Sequence, residues 1–461
     1  MTSESPRSSS RTRTRSRSRA RSQSRARSGR PFSSAAADDA PASSGSPADT
    51  GSADAARTGR AGDAAAPAPA APLVREPAGG TPELTTTIQQ LLAWCDRVAA
   101  EEDLAVDVER ASSYRYSAKA YLIQVRSESA GTVLVDPLAM RLPRSFVELM
   151  NSRTWVLHAA RQDLPSLAMD GMEPAGLFDT EVAGRLLGLE RVGLGAVVEE
   201  FIGVRLAKEH SASNWSKRPL PTSWLAYAAL DVEYLLPLRD ALTERLLHDG
   251  KWEWALQEFH HEMRFSHPEV PDEPWRSLSG VSSLRSRKQL AIARALWTKR
   301  DEMARTADIA PFMVVRDKHL MAMVKASMRT KADFLAAMPK GMKQGEAWWQ
   351  AARAARALGV GHLPETNEKG PHPHHKSWAR KHPEVQERYR TVRERLLRHA
   401  EEIRMPVENL ISPGQVRQWV WNHETASDDT AAVRRELEAV GARPWQAQQV
   451  APLLQAALPR R

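Results

Sequence analysis

Three β-forming runs in close succession, at 103–109, 120–126 and 131–136, constrain this chain more than any other feature. Each is rich in Val, Leu, Ile and Ala, alternating or continuous, with polar breaks between them, so they read as three successive strands. Beyond residue 136 the pattern changes. A helical stretch at 145–151 leads to a fourth β-forming run at 154–158. A helix then fits 162–168, the apolar pair Leu177-Phe178 leads into Asp179-Thr180 and a helix through Leu187, and further helices fit 193–201 and 222–247. Three strands and then alternating helices and strands imply an α/β domain: a mixed sheet with flanking helices.

The rest of the chain is divided by composition. Residues 1–82 alternate Arg with Ser or Thr and then run through Ala, Pro, Gly, Ser and Asp, with almost nothing to repay the entropy of ordering, so they read as a disordered arm. The α/β pattern occupies 83–250 and a connector 251–280. Residues 281–360 and 379–461 read as two all-α units, joined by a Pro-, Gly- and His-rich linker at 361–378. The net charge of +9 is unevenly spread: residues 1–30 hold ten arginines against one acid, residues 83–250 carry −7, and residues 281–350 carry +8. An acidic domain between basic segments suits a cation-dependent site served by polyanion-binding modules. The single cysteine, Cys95, excludes an internal disulfide and a cysteine zinc site; it lies in an apolar run and reads as a buried, inert thiol in a reducing cytoplasm. No apolar run is long enough to span a membrane, and the basic N-terminus lacks the apolar segment that a secretory signal requires after it.

Three acidic positions carry candidate chemistry. In Asp107-Val108-Glu109, strand alternation projects both carboxylates to one face, where they repel unless protonated or bridged by a cation. In Tyr227-Ala-Ala-Leu-Asp231, helical spacing places a phenol beside a carboxylate. Asp163 comes after the fourth strand, at the start of a helix. A solvated strand face, an ordinary helix face and a helix cap explain each of these singly.

Taken together, in this order and these contexts, they resemble the DEDD-type 3′→5′ exonucleases of the ribonuclease D family, tyrosine subclass. The likeness extends to Leu122-Ile-Gln-Val, Val133-Leu-Val-Asp-Pro137, Leu157-His158-Ala159 through Leu164, Phe178-Asp179-Thr180, and Trp215-Ser-Lys-Arg218-Pro219-Leu220. Over 83–250 it implies a ribonuclease H-like catalytic domain. Arg287-Lys-Gln-Leu and Ile309-Ala-Pro-Phe-Met-Val-Val-Arg-Asp-Lys318 resemble an HRDC domain, and 379–461 resembles a second, divergent copy. The chain departs from the family beside the acidic pair: the family usually has Asp-Thr-Glu-Phe, whereas this chain has Asp107-Val108-Glu109-Arg110.

The resemblance implies two divalent cations, Mg²⁺ or Mn²⁺, held by Asp107, Glu109, Asp163 and Asp231, with Asp107 bridging. Tyr227 would orient the attacking water, and His158 and Arg218 would contact substrate. RNA 3′ ends, such as those of tRNA precursors, are the implied partner, and nucleoside 5′-monophosphates the product. Two alternatives stay open at this stage: a DNA 3′→5′ exonuclease, and a non-catalytic nucleic-acid-binding adaptor.

Overall fold

The computed structural model describes residues 71–459, apart from 101, 208, 209, 211, 327, 367–371, 426 and 428. The Arg/Ser repeat at 1–30 and most of the arm therefore lie outside the described residues. The end of the expected arm is ordered rather than coil. Leu73–Val74 (β1) pairs in parallel with a late strand at Arg205–Leu206. The N–H of Arg205 donates to Pro72 O (2.9 Å) and that of Ala207 to Val74 O (3.0 Å). Strand addition supplies backbone partners that this short Pro- and Gly-rich segment cannot supply locally.

The remaining elements of the first domain are β2 (Leu84–Thr85), α1 (Ile88–Cys95), β3 (Leu104–Arg110), β4 (Ala120–Ser127), β5 (Gly131–Val135), α2 (Arg144–Asn151), β6 (Thr154–Leu157), α3 (Leu164–Ala168), β7 (Gly176–Asp179), α4 (Thr180–Leu186), α5 (Leu194–Ile202), β8 (Arg205–Leu206), α6 (Thr222–Glu233), α7 (Leu235–His248) and α8 (Trp252–Met263). Six strands form one sheet in the order β2-β5-β4-β3-β6-β7. The β3–β4–β5 meander is antiparallel, whereas β2, β6 and β7 run parallel to their neighbours. This is the mixed sheet with flanking helices expected from the sequence. β3 lies inside it, and Ala105, Val106 and Val108 are buried while Asp107 stays half-buried among them.

The single helix expected over 222–247 is two. The break falls at Tyr234 (φ −105°, ψ 1°). Pro237 explains it, because in a continuous helix its ring would collide with the carbonyl of Glu233. Cys95 is half-buried, and burial first, then Asp96, pushes its thiol up to about 11, so it is protonated at neutral pH. Among the described residues no helix is long and apolar enough to cross a membrane.

Two helical units come next. The first contains α9 (Arg287–Ala307), α10 (Pro311–Val314), α11 (Asp317–Lys325), α12 (Lys331–Ala336) and α13 (Gly345–Ala357). The second contains α14 (Trp378–Lys381), α15 (Pro383–Glu402), α16 (Val407–Leu410), α17 (Pro413–Asn422), α18 (Thr430–Ala439) and α19 (Pro444–Ala457). The two share a local path. A long helix ends near a left-handed residue (Asp308 φ 46°, Arg404 φ 50°), then come a four-residue helix, one extended residue (Val315 φ −160°, Ile411 φ −159°) and the next helix.

Their attachment differs. The first unit keeps its own core around Trp348, Phe334, Leu296 and Leu320. The second has no separate core: Trp378, Val392, Trp419 and Trp445 are continuous with the sheet domain through α8. At that seam Trp445 stacks on Trp254 (centroids 4.8 Å apart), and Glu258 accepts from Trp445 Nε1 and Arg443 Nε, each at 2.7 Å. Lys251, buried, donates to Leu186 O at 2.7 Å and Arg404 O at 3.3 Å. Gly188 (φ 77°) meets the same place, and a Cβ there would lie 2.2 Å from Arg404 O. The first part of the segment expected as a connector is thus this helix, Trp252–Met263.

Trp445→Ala removes the stacked ring and a donor to a buried carboxylate. It should destabilise the folded protein by about 3–5 kcal/mol, read as a lowered midpoint in urea melts, whereas substitution of the exposed Val270 should leave the midpoint within error.

Candidate active site

Three carboxylates meet at the centre of the sheet domain. Ligand oxygens of Asp107, Glu109 and Asp231 all lie within 4.8 Å of one another. Asp107 and Glu109 come from one face of β3, as strand alternation requires. Asp231 comes from the last turn of α6, which crosses that face. The buried residues beneath α6, including Leu122, Leu134, Trp215, Ala228 and Ala229, pack it against β4 and β5. Opposite Asp107 on β4 lies Gln124, fully buried, with no hydrogen-bond partner for its amide among the described residues.

The crowding has an electrostatic consequence. Burial first, with a backbone hydrogen bond and Arg110 opposing it, raises Asp107 to about 6. Burial, then the charges of Asp107, Asp231 and Asp163, raises Glu109 to about 10. Asp231 is pushed well above the usual carboxylate range by burial and Asp107, against the hydrogen bond from Tyr227. Burial and the neighbouring Asp231, Glu109 and Asp107 also hold the Tyr227 phenol protonated. A set of hard oxygen donors that resist ionising together is chemically suited to a divalent cation.

Asp163 stands beside this trio rather than within it. It is buried at the junction between a 3₁₀ turn (Ala160–Gln162) and α3, and its side chain makes no cap hydrogen bond. Arg110 Nη2 lies 3.4 Å from its Oδ1. Burial and Asp107 push Asp163 well up, and Arg110 opposes them. The turn that presents it depends on Asp179, a residue to which the sequence alone assigns no role. Asp179 accepts from the N–H groups of Ala159 (3.1 Å), Ala160 (2.7 Å), Glu181 (2.8 Å) and Val182 (3.2 Å). One carboxylate thus caps α4 and holds Ala159 in its left-handed conformation (φ 60°). An Asp at a strand-to-helix junction was the available signal.

The two expected substrate contacts fare differently. Arg218 is corrected. Its Nε and one Nη2 hydrogen take Asp136 in a fork, both at 2.7 Å, and the remaining donors go to Trp215 O, Lys217 O and Tyr121 O. All five N–H groups are spent inside the protein, and none is left for a phosphate. Arg218 fastens the 213–220 segment to the strands. His158 is mostly buried at the end of β6, with Nδ1 2.8 Å from Thr180 Oγ1. Thr180 donates its hydroxyl hydrogen to Leu157 O, so Nδ1 is the donor to Thr180. Burial lowers His158 to about 4, so the ring is neutral.

Two clefts flank the trio. One, about 570 Å³, is lined by residues including Leu194, His210, Tyr227 and Asp231; the other, about 210 Å³, by Glu109, Arg110, Tyr114 and others; they share Ala212 and Ser213. Together they have the capacity of an ordinary small-molecule site. The rim is held within the domain by Tyr114 OH, which donates to Ala212 O, and by Arg115, which reaches Ser216 Oγ (2.9 Å); it is tied to the first helical unit by Arg115 to Asp308 (3.3 Å) and by Tyr116 OH, which donates to Asp301 (2.8 Å).

The chain matches known families in three segments. Residues 82–247 match the 3′-5′ exonuclease family, 289–351 the HRDC domain, and 370–458 the 3′ to 5′ exonuclease C-terminal domain. It is 30% identical to ribonuclease D of Acidiphilium cryptum over 298 residues, covering 62% of this chain and 74% of the relative. It is 33% identical to ribonuclease D of Escherichia coli over 248 residues, 53% of this chain and 66% of the relative. A solved protein from Bifidobacterium adolescentis is similar at a TM-score of 0.75 and 35% identity, covering 84% of this chain and 99% of its own. The structure of E. coli RNase D, described as an exoribonuclease involved in structured RNA processing, is similar at 0.64 and 25%, covering 81% and 98%.

Arg218→Lys breaks a buried fork and should destabilise the protein by about 3–5 kcal/mol while leaving RNA affinity of the folded fraction unchanged; a phosphate contact would give the opposite pattern. For His158 the folded state disfavours the proton relative to an ordinary value near 6.5. Its contribution to stability is therefore present above about 6.5 and lost as pH falls toward 4. His158→Gln should flatten the stability loss between pH 7 and 5 in paired urea melts.

Proposed function

The chain belongs to the ribonuclease D family, and we propose that Asp107, Glu109, Asp163 and Asp231 hold the divalent cations with which this 3′→5′ exoribonuclease removes nucleotides from RNA. The observation that carries the assignment is the convergence of Asp107, Glu109 and Asp231 within 4.8 Å, a donor set that fits hard divalent cations. In our reading two Mg²⁺ or Mn²⁺ ions bind, supplying the charge that activates water and offsets the charge building on the leaving 3′ oxygen.

The chain's own groups do the rest. Asp107, on the inner strand β3, would be shared between the cations, as the family resemblance implies, with Glu109 and Asp231 as its partners in the close trio and Asp163 as the further ligand. Tyr227 is held protonated and hydrogen-bonded to Asp231, which makes it a poor base. Its oxygen is an acceptor, suited to hold the attacking water by one O–H and aim a lone pair at phosphorus. The products are nucleoside 5′-monophosphates.

The +8 of residues 281–350 supports RNA contact by the HRDC unit. The shared path through Asp308 and Arg404 supports reading the C-terminal unit as a second, divergent HRDC-like copy. A cytoplasmic enzyme trimming structured RNAs such as tRNA precursors fits both.

The test is nucleotide release from a 3′-tailed RNA hairpin and its DNA counterpart, with Mg²⁺, with Mn²⁺ and with chelator. RNA should shorten from its 3′ end only with metal. Asp107→Asn and Asp231→Asn should each slow single-turnover release roughly 10³-fold or more, the loss of several kcal/mol of charge stabilisation. Tyr227→Phe should cost about 10²-fold with RNA affinity unchanged. Equal cleavage of DNA would overturn the substrate assignment, and full activity of Asp107→Asn the site assignment.

A further inference from the structure

Arg110 is one of the two residues, with Val108, at which this chain departs from the motif of the family it resembles, and it stands in an unusual place. It comes after Asp107 and Glu109 on β3, at the step where the β3–β4 register shifts so that Glu109 faces Leu122 and Arg110 faces Ala120. Its guanidinium lies 3.4 Å from Asp163, the one member of the acidic set that does not join the close trio. It weighs against ionisation penalties across the site, opposing the rise at Asp107, Glu109 and Asp163 alike.

We propose that Arg110 is an internal counter-cation for Asp163 that yields this carboxylate to an entering divalent ion and then binds a phosphate of the RNA. The proposal rests on the metal-site reading above. Two features of the geometry point to it. First, Arg110 is loosely held. Arg218 spends five N–H groups on protein acceptors, whereas Arg110 makes this single ion pair among the described residues, and lines the cleft shared with Ser112, Ser113, Tyr114 and Ser213. Its other donors are available to a ligand in that cleft, and guanidinium forks suit phosphate. Second, the charges balance only if Arg110 changes partner. Four ionised carboxylates neutralise two dications, which leaves the arginine's charge surplus at the carboxylates and matched to a phosphodiester. A strongly hydrated dication and a guanidinium cannot both sit against one buried carboxylate oxygen without like-charge repulsion.

The consequence is an enzyme in which the ion beside Asp163 binds weakly in free protein and more tightly once RNA draws Arg110 away. The experiment is Mn²⁺ titration of the full chain by calorimetry and electron paramagnetic resonance, without RNA, for wild type, Arg110→Gln, Arg110→Lys and Asp231→Asn. Binding of a short single-stranded RNA is measured in parallel, with Ca²⁺ in place of Mn²⁺. Arg110→Gln should strengthen the weaker Mn²⁺ site several-fold. It should also weaken RNA binding about tenfold, the loss of one charged hydrogen-bonded contact, and reduce the salt slope by about 0.7. Arg110→Lys, which keeps the charge, should leave Mn²⁺ affinity near that of wild type, showing that the effect tracks charge rather than a folding defect. Unchanged or weaker Mn²⁺ binding in Arg110→Gln, or unchanged RNA affinity, would overturn the proposal. If Asp231→Asn abolishes Mn²⁺ binding while Arg110→Gln does nothing, only the role of Arg110 falls. If Asp231→Asn leaves Mn²⁺ binding intact, the site reading falls, and this inference with it.

Discussion

Carboxylates packed against one another in a protein interior repel, and each would rather take a proton than keep its charge. Asp107, Glu109 and Asp231, with Asp163 alongside, are in that position, and all four are raised above their ordinary range. The surrounding structure can be understood as what keeps them from moving apart. β3 is paired with β4 through Asp107 and Glu109 and anchored by β6 at Leu104 and Ala105, which fixes where the two carboxylates stand. The α6 helix stops just after Asp231 because Pro237 forbids its continuation, and its inner face is locked over Leu122, Leu134 and Trp215. Asp179 spends both oxygens on four N–H groups to fix the turn before Asp163. The stability that such repulsion removes is supplied by ordinary apolar packing around it, and the reward is a ready affinity for multivalent cations.

The parts of this arrangement that were legible in the sequence are those set by a single periodicity. Alternation along β3 brings Asp107 and Glu109 to one face, helical spacing sets Tyr227 beside Asp231, and the three β-forming runs mark three successive strands. What was not legible depends on partners far along the chain. Arg218 looked like a substrate contact because nothing local reveals that Asp136 and Tyr121, far back in the chain, take three of its donors. The pairing of Leu73–Val74 with Arg205–Leu206 is invisible in a Pro- and Gly-rich segment whose partner lies elsewhere in the chain. Pro237 was a missed local signal: its effect on the preceding turn is a matter of sterics alone.

The two helical units are fastened to the catalytic domain by different physics. The HRDC unit reaches it through polar contacts at the cleft rim, where Arg115, Tyr116, Asp301 and Asp308 pair and its own core stays separate. Such contacts hold the unit at the rim without merging one core with the other. The C-terminal unit instead extends the catalytic core itself, with Trp445 and Arg443 meeting Glu258 and Trp254 on α8.

That seam imposes an order of events during synthesis. Trp445 and Glu258 are 187 residues apart in the chain. At about 5–20 residues per second, the ribosome leaves the α8 face without its partner for roughly 10–40 s after the sheet domain has emerged. Through that interval the nascent enzyme presents an apolar surface with a carboxylate in its midst, a client surface for holding chaperones. The newborn catalytic domain reaches its finished form only when the final helix of the described structure arrives.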